Sequence, residues 1–167
     1  MTIKIGDKAP DATLAEYIDV PTDVCGVGPN AFQAAEALAG KTVALFAVPG
    51  AFTPTCSEQH LPGFIAKADE FKGKGVDEIW CMSVNDPFVM GAWGTQQKAA
   101  GKVRLIADGN GEWTKKLGLE LDLTKLGLGV RSQRFSALIV DGVVKQLNVD
   151  EGGALEKSDA DTLLGQL

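Results

Sequence analysis

Cys56 has the sequence surroundings of a reactive thiol. It ends the segment 49–56, whose sequence is PGAFTPTC. Thr53 is a residue type preferred at a helix N-cap and Pro54 suits the first helical position, so Cys56 is predicted at the third position of the first turn. Unpaired backbone N–H groups and the helix dipole favour an anion there, and the thiolate is the nucleophilic form of cysteine. The pattern predicts a nucleophilic Cys56, with the Thr53 hydroxyl placed to donate to an oxygen of the group it attacks.

The competing interpretation is that Cys56 is a packed free thiol and Thr53 only a cap. Dithiol exchange of the thioredoxin kind is excluded, because the cysteines at positions 25, 56 and 81 form no Cys-x-x-Cys pair. A zinc site lacks its usual ligand pairs, because the chain has one histidine and three dispersed cysteines. An odd number of cysteines in a chain of this size is typical of cytosolic thiols, so we expect a cytoplasmic protein.

Strands and helices alternate along the part of the chain that contains Cys56. Two segments are continuously apolar, which is typical of strands buried on both faces: Thr42–Val48 and Phe135–Val140. Between them, the pattern predicts strands at Val76–Val84 and Arg104–Ala107 and helices at Ser57–Lys72 and Pro87–Ala100. This order predicts an α/β fold in which Cys56 follows the carboxyl end of a parallel strand, where the ligand sites of such sheets gather.

The C-terminal part of the chain predicts a hairpin and a final helix. An Asp-Gly dipeptide at 141–142 joins Phe135–Val140 to Val143–Val149, which predicts an antiparallel pair and therefore a mixed sheet. Ser158 precedes a short segment with helical periodicity, so a capped helix is predicted over Asp159–Gln166. We expect this helix to cover one face of the sheet.

The composition is that of an ordinary globular protein. The 167 residues are 45% hydrophobic and 23% charged, which predicts a single domain over residues 1–167. With 22 acidic and 16 basic residues the net charge is −6, which argues against a nucleic-acid partner. The longest apolar run is Val43–Val48, and the N-terminus has no apolar leader, so neither a membrane helix nor a cleaved secretion signal is expected. Proline and glycine in Asp19–Asn30 predict a loop.

Segments spread along the chain form one pattern. They are residues 5–10 (IGDKAP), 49–57 (PGAFTPTCS), 60–64 (HLPGF), 83–89 (SVNDPFV), 92–93 (AW), 102–105 (KVRL) and 131–135 (RSQRF). Together they resemble the peroxiredoxins of the type II or type V subgroup, and the Pro-x-x-x-Thr-x-x-Cys core is specific to peroxiredoxins. The resemblance implies a thioredoxin-like fold, with a mixed central β-sheet flanked by helices. It also implies a thiol-dependent peroxidase that reduces hydrogen peroxide and alkyl hydroperoxides in antioxidant defence.

The resemblance implies roles for four residues. Cys56 is the peroxidatic cysteine, Thr53 orients the peroxide oxygen, and Pro49 shields the pocket from bulk water. Arg134 matches the catalytic arginine, which in this subgroup precedes an aromatic residue at a strand start. Thiolate attack on an O–O bond spreads negative charge over both oxygens, and fixed donors there lower the barrier. The products are a sulfenic acid and water or an alcohol, so no metal or organic cofactor is required.

Two further residues of the matching segments have supporting roles. Arg131 lies three residues before Arg134, so in one extended strand its side chain would point to the opposite face. The alternative for Arg131 is a surface charge. His60 lies one helical turn after Cys56. Because the helix N-terminus and an arginine already stabilise the thiolate, we expect His60 to have a structural or hydrogen-bonding role and not to act as a general base.

The thiol that reduces oxidised Cys56 belongs either to this chain or to another molecule. Cys81 is a possible resolving cysteine, because it occupies the position where plant type II relatives carry their second cysteine. A thiol buried in a strand is normally inert, so we expect Cys81 to be structural. An external thiol should then reduce Cys56, first glutathione with glutaredoxin and second thioredoxin. The resemblance also favours a homodimer formed near the active-site loops, with Phe88 and Trp93 at the rim or a subunit contact unless they are ordinary core residues.

Two functions of other classes compete on the sequence alone. One is a thiol–disulfide oxidoreductase on the same fold, which would reduce insulin disulfides. The other is a redox sensor or holdase that signals through oxidised Cys56, which would be oxidised once without turnover. Catalytic peroxide consumption that depends on a reductant distinguishes a peroxidase from both.

Replacing the central thiol tests the assignment most directly. Cys56→Ser should abolish peroxidase turnover, because a serine hydroxyl supplies no comparable anion at neutral pH. Cys25→Ser is the matched control and should leave turnover nearly unchanged. Peroxide consumption with a thiol reductant measures both, and retained turnover in Cys56→Ser would refute the assignment.

Overall fold

The computed structural model describes residues 1–19 and 27–167. Its strands are β1 (Thr13–Ile18), β2 (Gly28–Gln33), β3 (Thr42–Ala47), β4 (Glu78–Ser83), β5 (Arg104–Ala107), β6 (Glu120–Asp122), β7 (Val130–Ser132), β8 (Arg134–Val140) and β9 (Val143–Asp150). Its helices are α1 (Ala34–Leu38), α2 (Leu61–Ala66), α3 (Ala68–Gly73), α4 (Pro87–Gln97), α5 (Glu112–Leu117) and α6 (Ala160–Leu164). A π-helical turn spans Cys56–His60 and a 3-10 turn spans Thr124–Leu126.

A mixed sheet of seven of these strands forms the centre of the described structure. The strand order is β2-β1-β5-β4-β3-β8-β9, and β6 and β7 form a separate pair. β3 is parallel to β4 and antiparallel to β8, and β4 is parallel to β5. The predicted mixed α/β sheet is therefore confirmed, and its parallel strands lie in the middle.

Helices cover both faces of this sheet. Alternate residues of β3 enter two hydrophobic clusters, with Val43 and Leu45 in one and Ala44 and Phe46 in the other. The first cluster includes residues of α1 and α5, and the second includes residues of α2, α3, α4 and α6. Burial on both faces explains why β3 has no alternation of polar and apolar residues.

The predicted hairpin between β8 and β9 is confirmed. Asp141 has φ 46° and Gly142 has φ 77°, the left-handed values that a two-residue type I′ turn requires at both central positions. The strands on either side pair in register from Val140↔Val143 to Arg134↔Asp150, with one irregularity between Leu138 and Ile139. The local Asp-Gly signal was sufficient because this turn type tolerates few other residues.

The helix predicted over Ser57–Lys72 is segmented. Helical backbone begins at Pro54, passes through the π-helical turn, and is interrupted at Lys67 between α2 and α3. In the π-helical turn, the Leu61 N–H donates to the Cys56 carbonyl five residues earlier. Pro62 explains the departure, because it has no N–H for an i→i−4 hydrogen bond and its ring would clash with the carbonyl of that residue.

The last predicted helix is shorter and has a different cap. α6 begins after Asp159, whose side chain accepts a hydrogen bond from the Thr162 N–H. The expectation that Ser158 is the capping residue is wrong, because its hydroxyl donates to the Asp150 carboxylate at 2.6 Å. The Ser158 hydroxyl therefore binds the buried carboxylate of Asp150 and not the N-terminus of α6.

The predicted loop over Asp19–Asn30 is wrong at its end, where residues 28–30 belong to β2. Pro29 and Gly28 obscured this strand, but β2 lies at the sheet edge, where a missing N–H costs no ladder hydrogen bond. Cys25 lies outside the described residues. Within the described ranges, no helix is both long and apolar enough to cross a membrane.

Candidate active site

Cys56 lies where the chain passes from β3 into the following helix. Its side chain is fully buried, at 0% exposure. Helical backbone starts at Pro54, so Cys56 is at the third helical position, as predicted. Thr53 stands just before the helix, and its carbonyl accepts from the Ser57 N–H at 3.0 Å. The Thr53 hydroxyl donates to the Gly50 carbonyl at 2.7 Å, which leaves its oxygen lone pairs as acceptors.

Arg134 contacts the Cys56 sulfur directly. Arg134 Nη2 lies 3.2 Å from Cys56 Sγ, although the two residues are 78 positions apart. The guanidinium is 3% exposed, and its Nε donates to the Gly153 carbonyl at 3.2 Å. Within the described residues, Arg134 forms no salt bridge with a carboxylate. A buried, permanently charged group needs compensating partners, and Cys56 Sγ is one of the groups in contact with it.

His60 holds the guanidinium from a second side. His60 Nδ1 lies 2.9 Å from Arg134 Nη1, and His60 Nε2 lies 2.8 Å from the Ser158 carbonyl oxygen. A guanidinium only donates and a carbonyl only accepts, so Nε2 carries the proton and Nδ1 accepts. The Nδ1 lone pair is therefore occupied and is not available to take the proton of Cys56. This agrees with the hydrogen-bonding role expected from the sequence.

The pKa of His60 is lowered from 6.5 to about 4. Burial is the largest cause, because it penalises the charged imidazolium. The Ser158 carbonyl opposes this shift, while the positive charge of Arg134 adds to it. The imidazole is consequently neutral at physiological pH, which keeps Nδ1 free to accept from the arginine.

Arg131 is also at the active-site loop. Its Nη1 donates to the Pro49 carbonyl at 3.3 Å and its Nε donates to the Leu128 carbonyl at 2.8 Å. The expectation of a single extended strand through both arginines is wrong, because β7 ends before Gln133 and β8 begins after it. A Cβ at Gly50 would lie 2.9 Å from Arg131 Nη1, so a larger residue there would displace the end of the arginine side chain.

Asn85, which the sequence had not placed in the site, and Trp93, expected at its rim, at a subunit contact or in the core, both bind residues near Cys56. Asn85 Oδ1 accepts from the Ala51 N–H at 3.0 Å and from the Ser83 hydroxyl at 2.6 Å. Trp93 is fully buried, and its Nε1 donates to Ser57 Oγ at 2.9 Å. Both lie in segments that carried the resemblance, which was the signal available for them. Phe88, in contrast, is 63% exposed.

Cys81 lies in the middle of β4 and in the same hydrophobic cluster as Cys56. Burial raises the pKa of its thiol well above the ordinary value, and the neighbouring Cys56 adds to this rise. Cys81 is a free thiol in the structure. Its environment favours the neutral and unreactive form, as expected for a structural cysteine.

The site therefore combines a buried sulfur, a fixed positive charge and an acceptor hydroxyl. Within the described part of the chain, no three His, Cys, Asp or Glu residues are grouped to hold a metal ion. The chemistry that this arrangement supports is attack by an anionic sulfur on a small electrophile whose leaving atom takes up negative charge.

Known proteins share this pattern over the whole chain. The Redoxin family model matches residues 4–164. Peroxiredoxin-2E, chloroplastic, of Arabidopsis thaliana is 53% identical over 99% of this chain and 70% of that protein. Peroxiredoxin-2B of the same plant is 51% identical over 99% of this chain and 98% of its own length. The chain belongs to the peroxiredoxin family. It is a thiol-dependent peroxidase that works through a peroxidatic cysteine.

Solved structures agree with this assignment and with a thioredoxin-like fold. Reduced Prx3 of Vibrio vulnificus in complex with hydrogen peroxide is 48% identical, with a TM-score of 0.90 over 99% of both chains. A Burkholderia cenocepacia protein, provisionally described as a thioredoxin reductase, is 50% identical, with a TM-score of 0.99 over 100% of this chain and 99% of its own. The peroxiredoxin resemblance noted in the sequence is thus confirmed.

The lowered pKa of His60 predicts a pH-dependent stability. Between about pH 6.5 and pH 4 the unfolded chain protonates His60 while the folded protein does not, so the free energy of unfolding falls as the pH falls. The shift corresponds to a loss of about 3 kcal/mol across this window. Urea denaturation of the wild type and of His60→Asn at several pH values measures it. The variant should show a flatter dependence, and equal slopes would contradict the prediction.

Proposed function

We propose that Cys56 is the peroxidatic cysteine and that it reduces hydrogen peroxide and small alkyl hydroperoxides. The observation that carries the proposal is the 3.2 Å contact between Arg134 Nη2 and Cys56 Sγ, made by a guanidinium that is 3% exposed. The hydrogen peroxide complex of the Vibrio vulnificus relative supports the substrate class. A fully buried sulfur also favours small peroxides, because a bulky substrate would not reach it.

The reaction forms one bond and breaks one. The Cys56 thiolate attacks the nearer peroxide oxygen, so an S–O bond forms while the O–O bond breaks. The leaving oxygen keeps the electron pair of the broken bond and takes a proton, giving water from hydrogen peroxide or an alcohol from an alkyl hydroperoxide. Cys56 becomes a sulfenic acid. Arg134 stabilises both the thiolate and the negative charge that grows on the peroxide oxygens.

Thr53 and Pro49 complete the pocket in this proposal. The Thr53 hydroxyl donates its hydrogen bond to the Gly50 carbonyl, so its oxygen accepts a hydrogen bond from the O–H of the bound peroxide. This reverses the donor role expected from the sequence. Pro49 is half-buried, and Arg131 holds its carbonyl, which supports a fixed position for the ring that shields the sulfur. Arg131 and His60 support the loop and the guanidinium without contacting the substrate.

A reductant from outside the chain restores the thiol in this proposal. Cys81 is buried in β4, and the pKa of its thiol is raised by burial, so it is a poor nucleophile towards oxidised Cys56. We assign the reduction first to glutathione with glutaredoxin and second to thioredoxin. A rapid disulfide between Cys56 and Cys81 is the alternative.

The cellular compartment and the oligomeric state of the enzyme are part of the same proposal. We assign it to the cytoplasm, since Cys56 and Cys81 are both free thiols and suit a reducing compartment. A single domain that forms a homodimer is favoured by exposed apolar side chains near the active-site loop, including Phe52 at 49% exposure. Sedimentation equilibrium of the full chain measures the oligomeric state.

The two groups that act on the peroxide are tested by removing one hydrogen-bonding side chain at a time. Arg134→Met should slow the oxidation of Cys56 by about 100-fold or more, as expected for the loss of one fixed donor at a developing negative charge. Thr53→Val should slow it by about 100-fold as well, because the peroxide loses the acceptor that orients it. Stopped-flow mixing with hydrogen peroxide measures the second-order rate constant. Arg131→Met is the matched arginine control and should have a smaller effect. A larger effect of Arg131→Met would reverse the assignment of the two arginines.

The source of the second thiol is decided by the product of oxidation. Peroxide treatment of the protein alone should give a sulfenic acid on Cys56, which glutathione then converts to a mixed disulfide. Mass spectrometry of the intact and digested protein distinguishes these products. A rapid and quantitative Cys56–Cys81 disulfide would contradict the external thiol, and its loss in Cys81→Ser would identify Cys81 as the partner.

A further inference from the structure

Asp150 is a buried carboxylate that the peroxidase mechanism does not use. It ends β9, where it pairs in register with Arg134 of β8, and it is 2% exposed. Its Oδ2 accepts from the Ser158 hydroxyl at 2.6 Å and from the Ser158 N–H at 3.0 Å. Its Oδ1 accepts from the Lys157 N–H at 2.9 Å and from the Glu156 N–H at 3.2 Å. One side chain therefore holds the far end of the segment 151–158.

The same segment supplies two carbonyl groups that position the arginine. The Gly153 carbonyl accepts directly from Arg134 Nε at 3.2 Å. The Ser158 carbonyl accepts from His60 Nε2 at 2.8 Å, and His60 Nδ1 in turn accepts from Arg134 Nη1 at 2.9 Å. Two of the three nitrogens of the guanidinium are thus fixed by the segment 151–158. The third, Nη2, contacts Cys56 Sγ.

This segment has little regular structure to hold its shape. It consists of turns and bends, with no residue in a helix or strand. Gly152 and Gly153 have φ values of 61° and 82°, in the left-handed region that glycine adopts without strain. Because such backbone has many other accessible conformations, the four hydrogen bonds to the carboxylate restrain where its carbonyls lie.

We propose that Asp150 is a positioning residue for the catalytic arginine, acting through the two carbonyls of the segment 151–158. The proposal rests on the assignment of Arg134 to peroxide reduction. Asp150 does not contact the sulfur, and the proposed route of its effect on Cys56 is the position of the guanidinium. A displacement of the guanidinium by about 1 Å is enough to slow a reaction about 100-fold.

The electrostatics of Asp150 are consistent with this role. Burial alone would raise the pKa of its carboxyl group, but the hydrogen bonds from Ser158, Lys157 and Glu156 outweigh burial and lower it. The carboxylate is therefore charged throughout the physiological range. A charged acceptor forms stronger hydrogen bonds to backbone N–H groups than a neutral one, which keeps the segment in place.

Asp108 provides a matched control elsewhere in the fold. It is also buried, at 1% exposure, and accepts from the Thr114 hydroxyl and N–H at 2.8 Å and from the Trp113 N–H at 3.2 Å. Its carboxylate thus has nearly the same kind of partners as Asp150. These partners belong to α5, and Trp113 packs in the hydrophobic cluster on the sheet face opposite Cys56.

The test is a double-mutant cycle between Asp150 and Arg134. Stopped-flow oxidation of Cys56 by hydrogen peroxide is measured for the wild type, Asp150→Ala, Arg134→Met and the double variant, with circular dichroism confirming that each is folded. Asp150→Ala should slow the reaction by about 10- to 100-fold in the wild type. In the Arg134→Met background it should change the rate by less than about 3-fold, because the group it positions is gone. Asp108→Ala should leave the rate nearly unchanged in both backgrounds.

Asp150→Asn and Ser158→Ala extend the test if Asp150→Ala does not fold. Asn keeps one acceptor oxygen and should give a rate between those of the wild type and Asp150→Ala. Ser158→Ala removes only the hydroxyl donor, and its smaller loss should also disappear in the Arg134→Met background. A loss of the same factor in both backgrounds, or no loss at all, would refute a positioning role.

The double-mutant cycle distinguishes the positioning role of Asp150 from the catalytic assignment of Arg134, on which that role rests. If Arg134→Met slows the reaction strongly and the variants at Asp150 and Ser158 do not, the arginine assignment stands and the role of Asp150 is refuted. If Arg134→Met leaves the rate unchanged, the arginine assignment fails and the positioning role is refuted with it.

Discussion

Arg134 brings a permanent positive charge to a position that is 3% exposed, and its Nη2 lies 3.2 Å from Cys56 Sγ. Burying such a charge without an opposite charge is costly, and within the described residues no carboxylate forms a salt bridge with it. Its side-chain partners are instead a neutral imidazole, His60 Nδ1 at 2.9 Å from Nη1, and the sulfur of Cys56. In the proposed mechanism this contact also activates the nucleophile, so the burial of Arg134 and the reactivity of Cys56 depend on the same pair of groups.

The sheet topology brings this pair together. β3 and β8 are antiparallel neighbours, and Ala47 at the end of β3 is paired with Phe135 near the start of β8. The loop that leaves β3 towards Cys56 must therefore pass beside the residue that precedes Phe135, which is Arg134. A parallel arrangement of these two strands would place the arginine at the opposite end of the sheet. The antiparallel hairpin between β8 and β9 then places Asp150 beside Arg134 in the adjacent strand.

Around the pair, side chains hold the active-site loop and the first helical turn in place. Asn85 and Arg131 bind the active-site loop at Ala51 and Pro49, while Trp93 binds Ser57 in the first helical turn. The π-helical turn over Cys56–His60 widens the helix at the point where Pro62 removes a hydrogen-bond donor. His60 ends this turn and remains neutral, because burial lowers its pKa to about 4. These contacts fix the groups around Cys56, so that they need little reorganisation when charge develops.

Local residue patterns determined much of this protein. The apolar runs predicted the central strands, the Asp-Gly dipeptide predicted the hairpin, and Pro54 predicted the helix start that places Cys56 in its first turn, because each of these depends on neighbours in the chain. Arg134 was assigned from the family resemblance and not from local physics. Only the tertiary structure determined the contact of Arg134 with Cys56 and the tautomer of His60. It also determined that the Thr53 hydroxyl donates to the Gly50 carbonyl, and that Ser158 binds Asp150 and does not cap a helix. Each of these is a hydrogen bond for which the sequence offers several partners. The partner that forms the bond is the one that the folded sheet brings within about 3 Å.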